Sequence, residues 1–491
     1  MTAEGQGVGR TDEGLAVFVR EALPGDLVTA ELTKVKKRYA FGRLLSLDEA
    51  SPDRTEGFCD YSQSCGGCPF GLLTYEKQLA VKEKQVRETL SRLGGLESPQ
   101  VRPILAMADP FRYRNKASMP VSTGGIITRK GGVVEGLTAP SIGFYRPRSH
   151  DVVDCMDCGL QSVAAMAAAD ALRRFMAEDN ITGYDPRWDK GLLRHLVVRT
   201  AFGTGEVMVI LVINGKGIPN AAKLVEMLDD AISSIDDELG GPFSLESVVI
   251  NMNKGNTAEI FGDKTEVLAG KPTIEEHIGD MRFEISPLSF YQVNPQQMAI
   301  LYDKAVEYAA LSGGETILDL YCGAGTIGLW LLNELRSRDA LGDTSVIGIE
   351  SVKSAVIDAN RNAVINNIVN ARYVLGRAEE KLPELMDADR PEPEEDQVAL
   401  PFVDHADVAV LDPPRSGCDQ RLLEAVMKAG PERIVYVSCD PSTLARDLKI
   451  LGEGGYEFME ATPVDMFPWT GHVETCVLLS HKNSHTSAPS L

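Results

Sequence analysis

Cys439 closes an apolar β-branched run in "VYVSCDPSTLARD" (residues 435–447) and stands directly before Asp-Pro. Val435, Tyr436 and Val437 read as a buried strand and Pro441 suits the first turn of a helix, so the thiol falls where a strand hands over to a helix. A free thiol titrates at about 8.5, and a helix N-terminus lowers that value, which would make this one a nucleophile near neutrality. A small, inert core cysteine is the other reading of the same position. "PWTGHVETCVLL" sets His472 and Glu474 just before a last apolar strand, where a general base or an ordinary edge residue would serve equally. "VLDPPRSGC" ends another strand in Asp412, and two prolines stiffen the backbone directly after it: a rigid polar loop beside a ligand, or a plain strand terminator.

"LDLYCGAGTIG" places Gly323, Gly325 and Gly328 in a turn between a strand and a helix, and Glu350 closes the next strand. Glycines there let a ligand approach the backbone, and the acid can accept hydrogen bonds from ribose hydroxyls. The spacing is G-x-G-x-x-G, which fits a dinucleotide, S-adenosylmethionine (SAM) or a nonfunctional tight turn. The wording Asp319-Leu-Tyr-Cys-Gly favours SAM, whose cationic sulfonium and amino group suit a nearby carboxylate. A second constellation is Cys59, Cys65 and Cys68, spaced C-x5-C-x2-C in "CDYSQSCGGCPF", with Cys155 and Cys158 later in the chain in "CMDC". Three thiolates on one loop with a fourth from afar can hold a tetrahedral metal or an iron–sulfur cluster. Spacing leaves zinc and [4Fe–4S] both open, and it differs from the C-x3-C-x2-C of radical-SAM enzymes.

The elements that must carry these groups fall into three stretches. Residues 8 to 48 alternate apolar and polar residues around Pro24-Gly25-Asp26, the pattern of short strands in a small β-barrel, assigned to residues 1–50. Residues 51–284 contain the cysteine loop, a helical "TYEKQLAVKEKQVRETLSRL", an alanine-rich helix "QSVAAMAAADALRRFMAE" and two strands around a Gly-Thr-Gly turn, which predicts an α+β central domain. From 285 to 482 the apolar strands "ETILDLY", "SVIGIE", "VAVLD" and "RIVYVS" alternate with helical segments, predicting an α/β, Rossmann-like domain with a largely parallel sheet. Ligands of such sheets lie beyond the carboxyl ends of the strands, where each of these four runs ends in a chemically useful group. Residues 483–491 read as a disordered tail.

The net charge of −22 argues against nucleic-acid binding by the surface as a whole, because phosphates are drawn to basic stripes. Much of the acid is concentrated in one stretch, Glu384, Asp387, Asp389, Glu392, Glu394, Glu395 and Asp396, which resembles a solvated insertion. Basic residues cluster at Lys34, Lys36, Lys37, Arg38 and Arg43, and again at Arg112, Arg114 and Lys116. No apolar run reaches the roughly 18 residues of a membrane span, and the start, MTAEGQGVGR, lacks the order of a signal peptide. A soluble cytoplasmic protein is expected, with no membrane and no evident obligate protein partner. Its nine cysteines would then be reduced and available for metal binding or catalysis.

Taken in order, "CDYSQSCGGC", "SFYQVNP", "LDLYCGAG", "LDPPR", "VSCDPSTLARD" and "GHVETCVLL" resemble the RNA uracil-C5 methyltransferase family, from about residue 8 to 480. The resemblance implies an N-terminal TRAM RNA-binding barrel and RNA as partner. It makes Cys439 the nucleophile and Glu474 the base. SAM would be held by Gln292, Tyr321, Glu350 and Asp412 around Gly323 and Gly325, with Thr326 a weaker match. It puts a [4Fe–4S] cluster on Cys59, Cys65, Cys68 and Cys158, with Cys155 in reserve; that site is a mark of the ribosomal-RNA members, so 23S ribosomal RNA is the expected substrate. Two departures stand out: "CPFGLLTYEKQL" lacks the Gln-His often found after the third cysteine, and Arg377 occupies a place where a small polar or acidic residue usually meets the adenine. The competing readings are a tRNA m5U methyltransferase, an NAD-dependent oxidoreductase and a noncatalytic metal-containing RNA-binding protein. An RNA cytosine-C5 methyltransferase would resemble a Pro-Cys site, which this sequence lacks.

Overall fold

The structure, a computed structural model, describes all residues except 123–126, 130–131, 135–139, 187–188, 237–239, 256, 258, 390–399 and 483–491. The tail and the acidic residues Glu392, Glu394, Glu395 and Asp396 lie outside the described residues. The chain forms two compact units and passes between them several times. The first comprises Met1–Val81, Ala108–Glu276 and Phe467–Gly471, the second Lys82–Met107, His277–Met466 and His472–Leu491.

In the first unit, strands Gly7–Arg10, Ala16–Val19, Leu27–Val35 and Tyr39–Glu49 form a four-stranded sheet in which the last strand lies between the second and third. Alternation along them turns Val17, Val19 and Ala40 into a small core with Ala22. A seven-stranded sheet comes next. Its centre is the antiparallel pair Leu193–Thr200 and Glu206–Ile213, the two strands anticipated around the Gly-Thr-Gly turn. The alanine-rich helix Val163–Glu178 packs on it with Ala164, Ala165, Ala168, Ala169 and Ala171 buried, and Ser162 caps its start by accepting from the Ala165 N–H at 3.2 Å.

The second unit holds the sheet that the motifs anticipate. Its strands are β1 (Thr316–Leu320), β2 (Ser345–Glu350), β3 (Ala371–Leu375), β4 (Val408–Leu411), β5 (Arg433–Ser438), β6 (Tyr456–Val464) and β7 (Glu474–His481). They lie in the order β3-β2-β1-β4-β5-β7-β6. The first five are parallel, while β7 pairs antiparallel with both β5 and β6. Helices α1 (Pro295–Ala309), α2 (Thr326–Ser337), α3 (Lys353–Ile365), α4 (Ala378–Leu385), α5 (Gln420–Ala429) and α6 (Pro441–Glu453) connect or cover the strands. Because both faces are covered, the strands read as continuous apolar runs: Ile434 to Val437 and Val408 to Leu411 are fully buried. Among the described residues no helix is long and apolar enough to cross a membrane.

Candidate active site

The register of two strands makes the site. Ser438 at the end of β5 is paired with Thr475 of β7, so the residues just beyond, Cys439 and Glu474, meet at the same end of the sheet. β4 ends beside them at Leu411, and Asp412 comes next, its N–H bonded to the carbonyl of Leu320 at 3.2 Å. Cys439 feels the charges of Glu474, Asp412 and Arg415; Asp412 feels Asp319, and Asp319 feels Glu350. An unbroken acidic row therefore runs from the glycine loop to the thiol.

Burial sets the protonation of that row. Glu474 is 5% exposed, and burial, then the Asp412 charge, push its carboxyl up to about 8, against the opposing pull of Arg415. Burial and Asp319 push Asp412 up to about 7. The thiol of Cys439 is raised to about 11, first by burial and then by Glu474 and Asp412, which outweigh Arg415. The expectation of a thiol acidified by a helix N-terminus is corrected here. Asp440, not Cys439, caps α6: its carboxylate accepts from the N–H groups of Ser442 (2.8 Å) and Thr443 (3.3 Å). The helix end is thus already neutralised. His472 is exposed, its ring nitrogens 3.4 to 3.5 Å from the Arg415 guanidinium, whereas Glu474 is buried against the thiol's side of the sheet.

At the other end of the row, Glu350 accepts from the Gly323 N–H (3.1 Å) and, through its other oxygen, from the Val352 N–H (2.7 Å). Asp319 accepts from the Gly328 N–H at 3.0 Å with one oxygen; its other oxygen is buried without a partner. Tyr321 has a φ of +62°, a conformation costly for a residue with a side chain and characteristic of functional turns. Gly323 and Gly325 differ. A Cβ on Gly325 would strike Tyr373 at 2.5 Å, so that glycine is demanded by packing, whereas a Cβ on Gly323 would meet open space within 4 Å. Open space against a half-buried backbone turn, beside the Glu350 carboxylate, suits a cationic ligand. The Thr326 hydroxyl is hydrogen-bonded to Tyr302 Oη at 2.7 Å. Arg377 folds back on Glu379, its Nε 2.8 Å from the carboxylate and its side chain 65% exposed. The guanidinium is thus held on the surface by a local ion pair.

Supporting contacts fasten the loops. Gln292 is buried just before α1, whose cap Asn294 accepts from the Gln297 N–H and donates to the Met466 carbonyl at 3.1 Å. Gln297 donates to the carbonyls of Leu105 and Asp465, both at 3.2 Å, and the Asp465 carboxylate is ion-paired at 2.5 Å with the fully buried Lys82. Removing one member of such a pair costs about 3–5 kcal/mol, because it strands a buried charge. Asp447 of α6 plays the same part behind Cys439. It accepts from the Cys418 N–H (2.8 Å), Tyr436 Oη (2.6 Å) and Arg446 Nε (2.7 Å), tying the Asp412–Cys418 loop to the helix after the thiol. Sequence reasoning missed Arg415, Tyr302 and Asp447 as neighbours of the site. Arg415 was legible as the cation next to Asp412 in "LDPPR"; the buried Tyr302 carries no signal in its helix.

The remaining candidate residues form a second locus, in the first unit. Cys59, Cys65 and Cys68 lie on one loop and Cys155 and Cys158 on another, joined where the Met156 N–H donates to Tyr61 Oη at 3.1 Å. Cys59, Cys65 and Cys68 each feel Cys158, and burial raises all three thiols. Cys155 hydrogen-bonds Cys158, which lowers the Cys158 thiol and raises its own, and also donates to the Asp157 carbonyl at 3.1 Å. Among the described residues no three His, Cys, Asp or Glu side chains are arranged to hold a single metal ion. The four expected ligands are gathered without forming a closed tetrahedral ion site.

Known proteins resemble this chain over nearly its whole length. A profile of the tRNA (uracil-5-)-methyltransferase family matches residues 260–482, and one of the TRAM domain matches residues 2–45. An uncharacterized RNA methyltransferase of Halalkalibacterium halodurans is 42% identical over 483 residues, covering 98% of this chain and 96% of the relative. One of Bacillus cereus is 42% identical over 478 residues, covering 97% and 94%. Among solved structures, the Pyrococcus abyssi tRNA (uracil-54, C5)-methyltransferase in complex with S-adenosyl-L-homocysteine superposes with a TM-score of 0.70 at 27% identity, covering 97% of this chain and 99% of that one. With the glycine loop, the strand-end carboxylates and the cysteine all on one α/β sheet, the chain belongs to the family of SAM-dependent RNA uracil-C5 methyltransferases that carry an N-terminal TRAM domain.

Proposed function

We propose that this enzyme methylates C5 of a uridine in 23S ribosomal RNA through a covalent bond between Cys439 and C6 of the base. One observation carries the chemistry: Cys439 and Glu474 are cross-strand neighbours, and Asp412 links them electrostatically to the glycine loop. Uracil C5 is a poor nucleophile. Addition of the Cys439 thiolate to C6 moves the C5–C6 electrons onto O4 as an enolate, and C5 then accepts the methyl group, with S-adenosylhomocysteine as the leaving group. Glu474 removes the C5 proton, and the electrons of that bond restore C5–C6 and expel the Cys439 thiolate. SAM supplies the electrophilic methyl group. Gly323, Gly325, Glu350, Asp412, Gln292, Tyr321 and Thr326 are proposed to hold it, with the open space at Gly323 supporting the assignment. A uridine in folded RNA must be turned out of its stack to reach the thiol, at a cost of a few kcal/mol.

The target is read from the cysteine set, and the tRNA activity of the Pyrococcus abyssi relative supports a second reading in which a tRNA uridine is the substrate. Mass-spectrometric mapping of 5-methyluridine in both RNAs from a strain lacking the protein decides. Loss of a 23S methyl group with intact tRNA supports the first reading, and the reverse result replaces it with the second. The intracellular RNA substrate argues for a cytoplasmic protein.

Cys59, Cys65, Cys68 and Cys158 are proposed to bind a [4Fe–4S] cluster. Four half-buried thiols gathered from two loops suit a group that takes one thiolate at each of four irons. Bound there, the cluster would crosslink the two loops. Protein purified without oxygen should contain about four irons per chain. Cys158→Ser should lose most of them and Cys155→Ser few; stoichiometric zinc without iron would refute the assignment.

A further inference from the structure

We infer that the outward face of the N-terminal four-stranded sheet is a stacking platform for unpaired bases of single-stranded RNA, a reading that rests on RNA being the substrate. Along Ala16–Val19 and Tyr39–Glu49 the inward positions are Val17, Val19 and Ala40, so Phe18, Tyr39 and Phe41 are left on the opposite face. The two strands run in parallel register with Phe18 beside Phe41, which gathers the rings. Their centroids are 5.6 to 5.8 Å apart, Tyr39 standing edge-on to both others. Tyr39 is 39% exposed, and Phe18 and Phe41 are partly exposed. Three aromatic rings assembled on a face that buries none of them completely are poorly explained by the folding of this small sheet, whose core lies on its other side.

The surrounding charge identifies the occupant. Lys34 is paired across the ladder with Phe41, and the exposed hairpin tip beyond it carries Lys36, Lys37 and Arg38. The tip closes tightly, with the Lys36 N–H on the Tyr39 carbonyl at 2.8 Å, so the cations are held next to the rings. Arg43 is already paired with Glu31 at 2.5 Å and is left out of the set. Aromatic faces beside a row of cations, in a chain of net charge −22, match a strand of phosphates with splayed bases. A duplex hides the faces of its bases and would meet only the cations.

The test uses the full-length protein and fluorescence anisotropy with an unstructured oligoribonucleotide of about 12 nucleotides, within the span of such sites, against an RNA hairpin of equal length. Tyr39→Ala and Phe18→Ala should each weaken single-strand binding about tenfold and leave hairpin binding nearly unchanged, while Tyr39→Phe should bind like the wild type. The double variant Lys36→Gln, Lys37→Gln should flatten the dependence of log K on log salt by about 1.4, two phosphate contacts at about 0.7 each. Unchanged single-strand affinity in both alanine variants, or an equal loss on the hairpin, would overturn the platform. Methyl transfer to cellular RNA by the wild type is scored separately: its absence would strike at the enzymatic reading and leave the oligonucleotide result standing.

Discussion

Cys439→Ala is expected to abolish methyl transfer to RNA, a loss on the order of 10⁶-fold, the scale seen when a covalent nucleophile is removed. No denaturant-stable protein–RNA adduct should form, even on RNA containing 5-fluorouridine, where the fluorine cannot leave as a cation and the wild-type enzyme should be trapped. SAM binding measured by equilibrium dialysis should persist, because the glycine loop and Glu350 lie at the ends of β1 and β2, on other strands than the thiol. The alanine also removes a thiol whose ionisation is disfavoured at rest: burial and two carboxyl groups hold it near 11. The thiol therefore needs help to lose its proton, and Arg415, which opposes that rise, is the cation in place to give it. An adduct in Cys439→Ala would show that another group attacks the base.

Glu474→Gln should produce the opposite species: methyl transfer once, then a stalled adduct carrying the methyl group, with turnover down by about 10²–10⁴-fold. The fold should tolerate the change. Burial already favours the neutral carboxyl of Glu474, and glutamine is close to that form. The same shift fixes the pH dependence. Proton removal from C5 needs the carboxylate, so release of the methylated adduct should speed up with pH to about 8 and level off above it, while adduct formation, which needs the Cys439 thiolate, keeps rising towards 11; Glu474→Gln should lose the lower limb alone. Stability runs the other way. A carboxyl raised from 4.5 to about 8 by folding stabilises the native state fully below about 4.5, and that contribution is lost as pH rises towards 8; Asp412, raised from 3.8 to about 7, adds to the trend. A Glu474→Gln enzyme with normal turnover would remove the residue from the chemistry and turn attention to His472.

Local sequence determined which side chains arrive at strand ends. The runs before Glu350, Asp412 and Cys439 are short, apolar and β-branched and alternate with helical segments, the pattern of strands buried on both faces, so the groups that close them fall at the mouth of the sheet, with Asp319 one residue inside the end of its own strand. Glycine spacing and the Asp-Pro and Asp-Pro-Pro turns are equally local, because they depend on backbone freedom at single residues. What those groups do electrostatically was not local. The antiparallel register of β7 against β5 brings Glu474 to Cys439, and it arises from pairing between segments that the pattern of either one leaves undefined. The acidity of the thiol was misjudged for the same reason: proximity to a helix start is visible in the chain, whereas desolvation, two facing carboxyl groups and a cap already taken by Asp440 are properties of the folded surroundings. Asp447, Tyr302 and Lys82 became meaningful only when packing buried them, since a polar group out of water must find its partner wherever the tertiary structure supplies one.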